Sequence, residues 1–122
     1  MNKTKILAPA MLASKRQEMQ DRDGVNWLID LFINELPNYA KELKLAIDIN
    51  DGEELYLAAH KFKGACSSMG ANDLEEFCKQ LESLGKENSL AKASQILEEE
   101  MSKKIALLIA ALEQEKVNYP ED

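Results

Sequence analysis

The sequence predicts an all-α protein, an antiparallel up-down four-helix bundle with an additional short N-terminal helix. Three observations predict it. Nearly every segment between the glycines repeats its apolar residues with the 3.6-residue period of a helix. Strand-like alternation and β-branched runs are missing. The connections between periodic segments are short, which makes consecutive helices antiparallel neighbours. With 122 residues, 45% hydrophobic and 30% charged, residues 1–122 form a single domain able to bury roughly two thirds of its unfolded surface around one core.

A short first helix is predicted over residues 9–20, Pro9 being acceptable in its first turn. The polar run Asp21, Arg22, Asp23, Gly24 ends it and serves as a linker. The second helix is predicted over 25–50, with Trp27, Leu28, Leu31, Phe32, Leu36, Tyr39, Leu43, Ala46 and Ile47 as its apolar stripe. Pro37 lies inside it, removes one backbone donor and crowds the preceding turn, so a kink or local break is expected there. Asp51 and Gly52 make a turn. The third helix, over 53–69, is about 25 Å long at 1.5 Å per residue, and Gly70 stops it.

The fourth helix is predicted to start at Asn72 or Asp73 as N-cap, to carry Leu74, Phe77, Cys78, Leu81 and Leu84 on one stripe, and to end at Gly85. The last runs from Asn88 or Ser89 to about residue 115, with Leu90, Leu97, Met101, Ile105, Leu108 and Leu112 inward. Residues 118–122 read as a frayed tail.

Composition removes most chemistries. The single histidine, His60, excludes a two-histidine zinc site and a di-iron bundle with paired Glu-x-x-His motifs. Cys66 and Cys78 lack the C-x-x-C spacing of metal sites and read as small buried hydrophobes in a reducing compartment. Five glycines occur, none in a G-x-G, so no nucleotide-binding glycine loop is present. A net charge of −7 opposes a nucleic-acid partner. The N-terminal apolar run is interrupted by Pro9 and is too short for a signal peptide, and no stretch approaches the ~20 residues of a membrane span. A cytoplasmic, soluble protein without metal or cofactor of its own is expected.

At about 100° per residue the third helix divides into two faces. Leu55, Ala58, Ala59, Phe62, Ala65, Cys66 and Met69 form a core face. Tyr56, Leu57, His60, Lys61, Lys63, Gly64, Ser67 and Ser68 occupy the opposite arc, with His60 near its middle and therefore facing solvent. Lys63, at i+3, can pair with an anion held on the imidazole. Gly64, at i+4, costs the helix up to about 1 kcal/mol relative to alanine and leaves the space beside the ring open. Cys66 lies about 120° around the helix and Ser67 about 10 Å along it, so neither forms a catalytic pair with His60. An inert surface histidine stays open at this point. The alternative is an accessible imidazole with a neighbouring cation, suited to carrying a phosphoryl group.

The run Ala59-His60-Lys61-Phe62-Lys63-Gly64-Ala65-Cys66-Ser67-Ser68-Met69-Gly70-Ala71, followed by Leu74, Cys78, Leu81-Glu82 and Gly85, resembles histidine-containing phosphotransfer (HPt) domains. Their signature is A-H-x-[LF]-K-G-x-x-x-x-[LM]-G-A and then L-x-x-x-C-x-x-L-E. Leu28-Ile29-Asp30-Leu31-Phe32 with Leu36-Pro37 is similar to the family's preceding helix, so the match covers about residues 25–112. Cys66 and Met69 depart from its commonest residues but keep apolar character.

The resemblance implies a phosphorelay module. His60 takes a phosphoryl group from a receiver-domain aspartyl phosphate of a hybrid sensor kinase and passes it to the aspartate of another response regulator. Lys63 neutralises the phosphoryl oxygens, Gly64 gives the partner access, and Glu82 hydrogen-bonds the imidazole so that Nε2 is the nucleophile. Mg²⁺ and a lysine come with the receiver. Tyr56, Leu57, Lys61, Ser67 and Ser68 are the expected partner-binding residues. On this reading the chain is a monomeric carrier without kinase motifs, and Met1 with a complete bundle points to a stand-alone protein. The alternatives are a non-catalytic helical adaptor that docks a receiver or another signalling partner, and a free-standing phosphohistidine phosphatase, which lacks a second acid, base or metal near His60.

Overall fold

The computed structural model describes residues 3–19 and 22–118. Every regular element among them is helical: α1 (Lys3–Ile6), α2 (Pro9–Met19), α3 (Arg22–Asp48), α4 (Gly52–Met69), α5 (Asn72–Lys86) and α6 (Leu90–Asn118). Helices α3 to α6 form the bundle. Each packs on the next and α6 closes the ring against α3, the α4–α5 contact being the most extensive. The N-terminal segment flanks it, with α1 against α5 and α6 and α2 against α3 and α4.

Local chemistry explains the α4 boundaries. Asp51 is extended, and its side chain accepts the Glu54 N–H at 3.0 Å, capping the helix start. Glu53 and Glu54 add negative charge to the first turn, where the helix dipole favours it. At the other end Gly70 is left-handed at φ 77°, and its N–H reaches the Cys66 and Ser67 carbonyls. The Gly70 carbonyl accepts the Ala8 N–H at 2.8 Å, pinning the N-terminal segment to the α4–α5 turn.

The core combines Ile29, Leu36 and Leu43 of α3, Leu55, Ala59, Phe62 and Cys66 of α4, Phe77, Cys78 and Leu81 of α5, and Ala93, Leu108 and Leu112 of α6. The α4 face matches its helical wheel. Phe62 is fully buried and stacks on Tyr39 of α3, with centroids 4.7 Å apart and planes 7° apart. This contact fixes the rotation of α4 about its axis.

Several expectations are corrected. Pro37 does not interrupt α3, which is one helix of 27 residues. Pro37 is exposed, so only one donor is lost, and the buried Phe32, Leu36, Leu43 and Ala46 on both sides hold the helix by tertiary packing. Arg22, Asp23 and Gly24 are not a linker but the first turn of α3, and Gln20 and Asp21 lie outside the described residues. The α3 stripe is rotated: Trp27 and Leu31 are 62% and 45% exposed, while Val25, Asn26 and Ile29 are buried. Val25, Ile29, Phe32, Leu36 and Leu43 form the inward seam, and Trp27 lies about 200° from Val25 on the wheel.

Buried Asn26 accepts Arg16 Nη2 of α2 at 3.1 Å, and Arg16 in turn lies 3.6 Å from Glu115 of α6, so a polar tie satisfies a seam position. Neither Asn72 nor Asp73 caps α5. Its N-cap is Ala71, without a side-chain hydrogen bond, because the Gly70 turn feeds straight into the helix. α5 runs one residue past Gly85, to Lys86, and α6 extends to Asn118; residues 119–122 lie outside the described part. Leu97 and Ile105 are partly buried against the core, whereas Ala93 and Ile96 of the same helix are buried.

Candidate functional site

Burial of Leu55, Ala59, Phe62 and Cys66 leaves His60 no inward position, because it lies about 200° from Phe62 on the same helix. Its side chain is 59% exposed. One edge of the ring is held: His60 Nδ1 is 3.3 Å from Glu82 Oε2 of α5. The other carboxylate oxygen, Oε1, is 2.6 Å from Lys63 Nζ. Glu82 therefore bridges the histidine and the lysine that α4 presents one turn apart.

The electrostatics follow from this bridge. Burial alone would raise the Glu82 pKa, but contact with Lys63 and His60 wins and holds it below the usual carboxylate range. Contact with Glu82 raises the Lys63 pKa despite some desolvation. An ionised carboxylate only accepts, so the Nδ1 facing it carries a proton, and in the neutral ring Nε2 keeps its lone pair toward solvent.

A Cβ added to Gly64 would meet nothing within 4 Å. The chain's own packing does not require this glycine. It leaves open space on the face of α4 that carries His60.

On the other side of His60, Tyr56 stacks on the imidazole with centroids 5.8 Å apart and planes 20° apart. Lys86 Nζ of α5 lies 4.9 Å from the Tyr56 centroid. Lys61 is exposed and pairs with Glu42 of α3 at 3.1 Å. Leu57, 51% exposed, and Lys61 line an open groove of about 240 Å³ together with Leu45 of α3 and Ile49 in the turn that follows it. Ser67 and Ser68 are exposed farther along α4.

Sequence reasoning missed Leu45, Ile49 and Lys86. Leu45 and Ile49 had a signal, being leucine and isoleucine off the α3 stripe. Lys86 had none, because only α4–α5 packing brings it to Tyr56. Cys66 and Cys78 are free thiols, both buried. Among the described residues no group of three or more His, Cys, Asp or Glu side chains is arranged to hold a metal, and no helix there is long and apolar enough to cross a membrane.

This geometry coincides with a known family. The Hpt domain model matches residues 28–117. The crystal structure of histidine-containing phosphotransfer protein B (HptB) from Pseudomonas aeruginosa PAO1 is similar at a TM-score of 0.83 and 30% identity, covering 94% of this chain and 97% of that one. Among curated proteins none matches the sequence. The chain belongs to the Hpt domain family of helical-bundle histidine phosphotransfer proteins in two-component phosphorelays. Proteins of this family are phosphocarriers rather than kinases and interact with receiver domains.

Proposed function

We propose that His60 accepts a phosphoryl group from the aspartyl phosphate of one receiver domain and delivers it to the aspartate of another. In the first step the Nε2 lone pair attacks phosphorus, the P–O bond to the donor aspartate breaks, and the aspartate leaves as a carboxylate. The Nδ1 proton stays in place opposite Glu82, whose negative charge stabilises the cationic phosphorylated ring. The second step reverses these events on the acceptor. Lys63 neutralises the phosphoryl oxygens, and Gly64 admits the receiver. Mg²⁺ belongs to the receiver, since phosphoryl transfer relies on positioning and charge neutralisation more than on covalent help from the carrier.

The observation that carries this reading is an exposed imidazole with one nitrogen engaged and open space above Gly64. Tyr56, Leu57, Lys61, Ser67 and Ser68 surround it as the docking face, and the chain acts as a cytoplasmic monomer. Incubation with a phosphorylated receiver tests the proposal. Label should move to this chain as an acid-labile, base-stable phosphoramidate and should be absent from His60→Gln. Labelling of that variant at the wild-type rate overturns the assignment.

A further inference from the structure

Three lysines approach His60, and two of them are already engaged by carboxylates. Lys63 is 2.6 Å from Glu82 and Lys61 is 3.1 Å from Glu42. Lys86 differs. Among the described residues no carboxylate lies within ion-pair distance of it, and its ammonium rests over the Tyr56 ring. That ring is the one stacked on His60. In a chain of net charge −7, Lys86 is thus an uncompensated positive charge beside the histidine. It can be no farther from the imidazole than the 4.9 Å and 5.8 Å separations laid end to end.

The backbone places it there. A Cβ on Gly85 would come within 2.8 Å of the Tyr56 nitrogen and 3.2 Å of its Cα, so the end of α5 is pressed against α4 at Tyr56. Lys86 is the next residue. Its flexible stem leaves the ammonium free to move from the ring toward an anion on the imidazole.

Resting on the carrier reading above, we propose that Lys86, held at the site by Tyr56, is a second cation for the phosphoryl group on His60. The unphosphorylated site spends the Lys63 charge on Glu82. Because Lys63 shares its charge with Glu82, a dianionic phosphoryl group draws on Lys86 as well. Tyr56 is a positioning residue that stores the ammonium over its π-face until the anion arrives.

The test uses the full chain and phosphoramidate as donor. The Nε2–P bond forms, the donor P–N bond breaks and ammonia leaves. Lys86→Gln should slow labelling about three- to tenfold at low ionic strength, with the difference shrinking as salt is added, and Lys86→Arg should restore it. Tyr56→Ala should slow labelling too, and adding Lys86→Gln to it should cost less than in the wild-type background. Diethyl pyrocarbonate, an uncharged reagent for neutral imidazole, provides the control. It should modify His60 at one rate in wild type and Lys86→Gln, because only an anionic donor senses the charge.

Equal phosphoramidate rates in wild type and Lys86→Gln overturn the proposal while leaving the carrier reading intact. Parallel slowing with both reagents also overturns it, by assigning Lys86 a structural role. A wild-type chain that takes no label at His60 overturns both readings.

Discussion

Gly52 and Gly85 meet backbone to backbone. A Cβ on Gly85 would lie 2.7 Å from the Gly52 carbonyl oxygen, and one on Gly52 would lie 2.5 Å from that of Gly85. Every close neighbour of the Gly85 position is backbone, so a methyl group there has to push α4 and α5 apart. Gly85→Ala should cost about 1–3 kcal/mol, the usual range for overpacking, read as a lower urea midpoint. Because the same contact sets Tyr56 against α5, phosphorylation of His60 should slow in this variant as well.

Gly64 should behave in the opposite way. With nothing within 4 Å of its Cβ position, Gly64→Ala should stabilise the isolated chain by about 0.5–1 kcal/mol through helix propensity. Gly64→Gln should fold normally yet slow transfer from a receiver, while labelling by a small donor changes little. Equal loss with both donors would contradict a clearance role.

Glu82→Gln should show a stability deficit that depends on pH. The Glu82 pKa is lowered in the folded state, so its contribution is full above the carboxylate's unfolded pKa and disappears as pH falls through the lower folded value. Lys63 has a raised pKa, so its part is full below the ordinary lysine pKa and is lost as pH rises through the higher folded value. Denaturation across pH should therefore show wild type and variant converging at both the acid and alkaline ends, with their largest separation between them. A constant separation down to strongly acid pH would contradict the bridge.

Gly70→Ala combines two penalties. The residue has φ 77°, and a Cβ would lie 2.7 Å from the Ala8 carbonyl oxygen and 3.2 Å from Met11 Cβ. The left-handed conformation alone costs an alanine about 1–2 kcal/mol. Amide exchange should rise first in residues 5–12, whose Ala8 N–H bonds to the Gly70 carbonyl.

Cys66 and Cys78 should resist an aqueous thiol reagent in the native protein and react stoichiometrically after unfolding. Both are fully buried, and contact with Cys78 together with burial pushes the Cys66 pKa upward, suppressing the thiolate. Rapid reaction of the native protein would contradict their burial.

The residues that carry the site were legible wherever one helix decides their direction. His60, Lys63 and Gly64 follow from the α4 wheel, since a stripe as apolar as Leu55, Ala59, Phe62 and Cys66 has one way to face inward. The same reasoning misplaced Trp27 and Leu31. α3 offers more large apolar residues than its inward face can hold, and the choice fell to packing against α4 and α6, which took the Val25, Ile29, Phe32 and Leu36 seam. Pro37 leaves α3 unbroken for a related reason. A lost backbone donor weighs heavily in an isolated helix but little in one held by buried side chains on both sides.

The sequence by itself determined the all-helical class, the bundle and the outward direction of His60, because the 3.6-residue period and the Gly70 stop act within single segments. The tertiary structure decided how the outward residues are wired. Glu82 meets both His60 and Lys63, and Lys86 reaches Tyr56, because α4 and α5 approach to backbone contact at Gly52 and Gly85. That distance between helices is a property of their packing, which no single segment encodes.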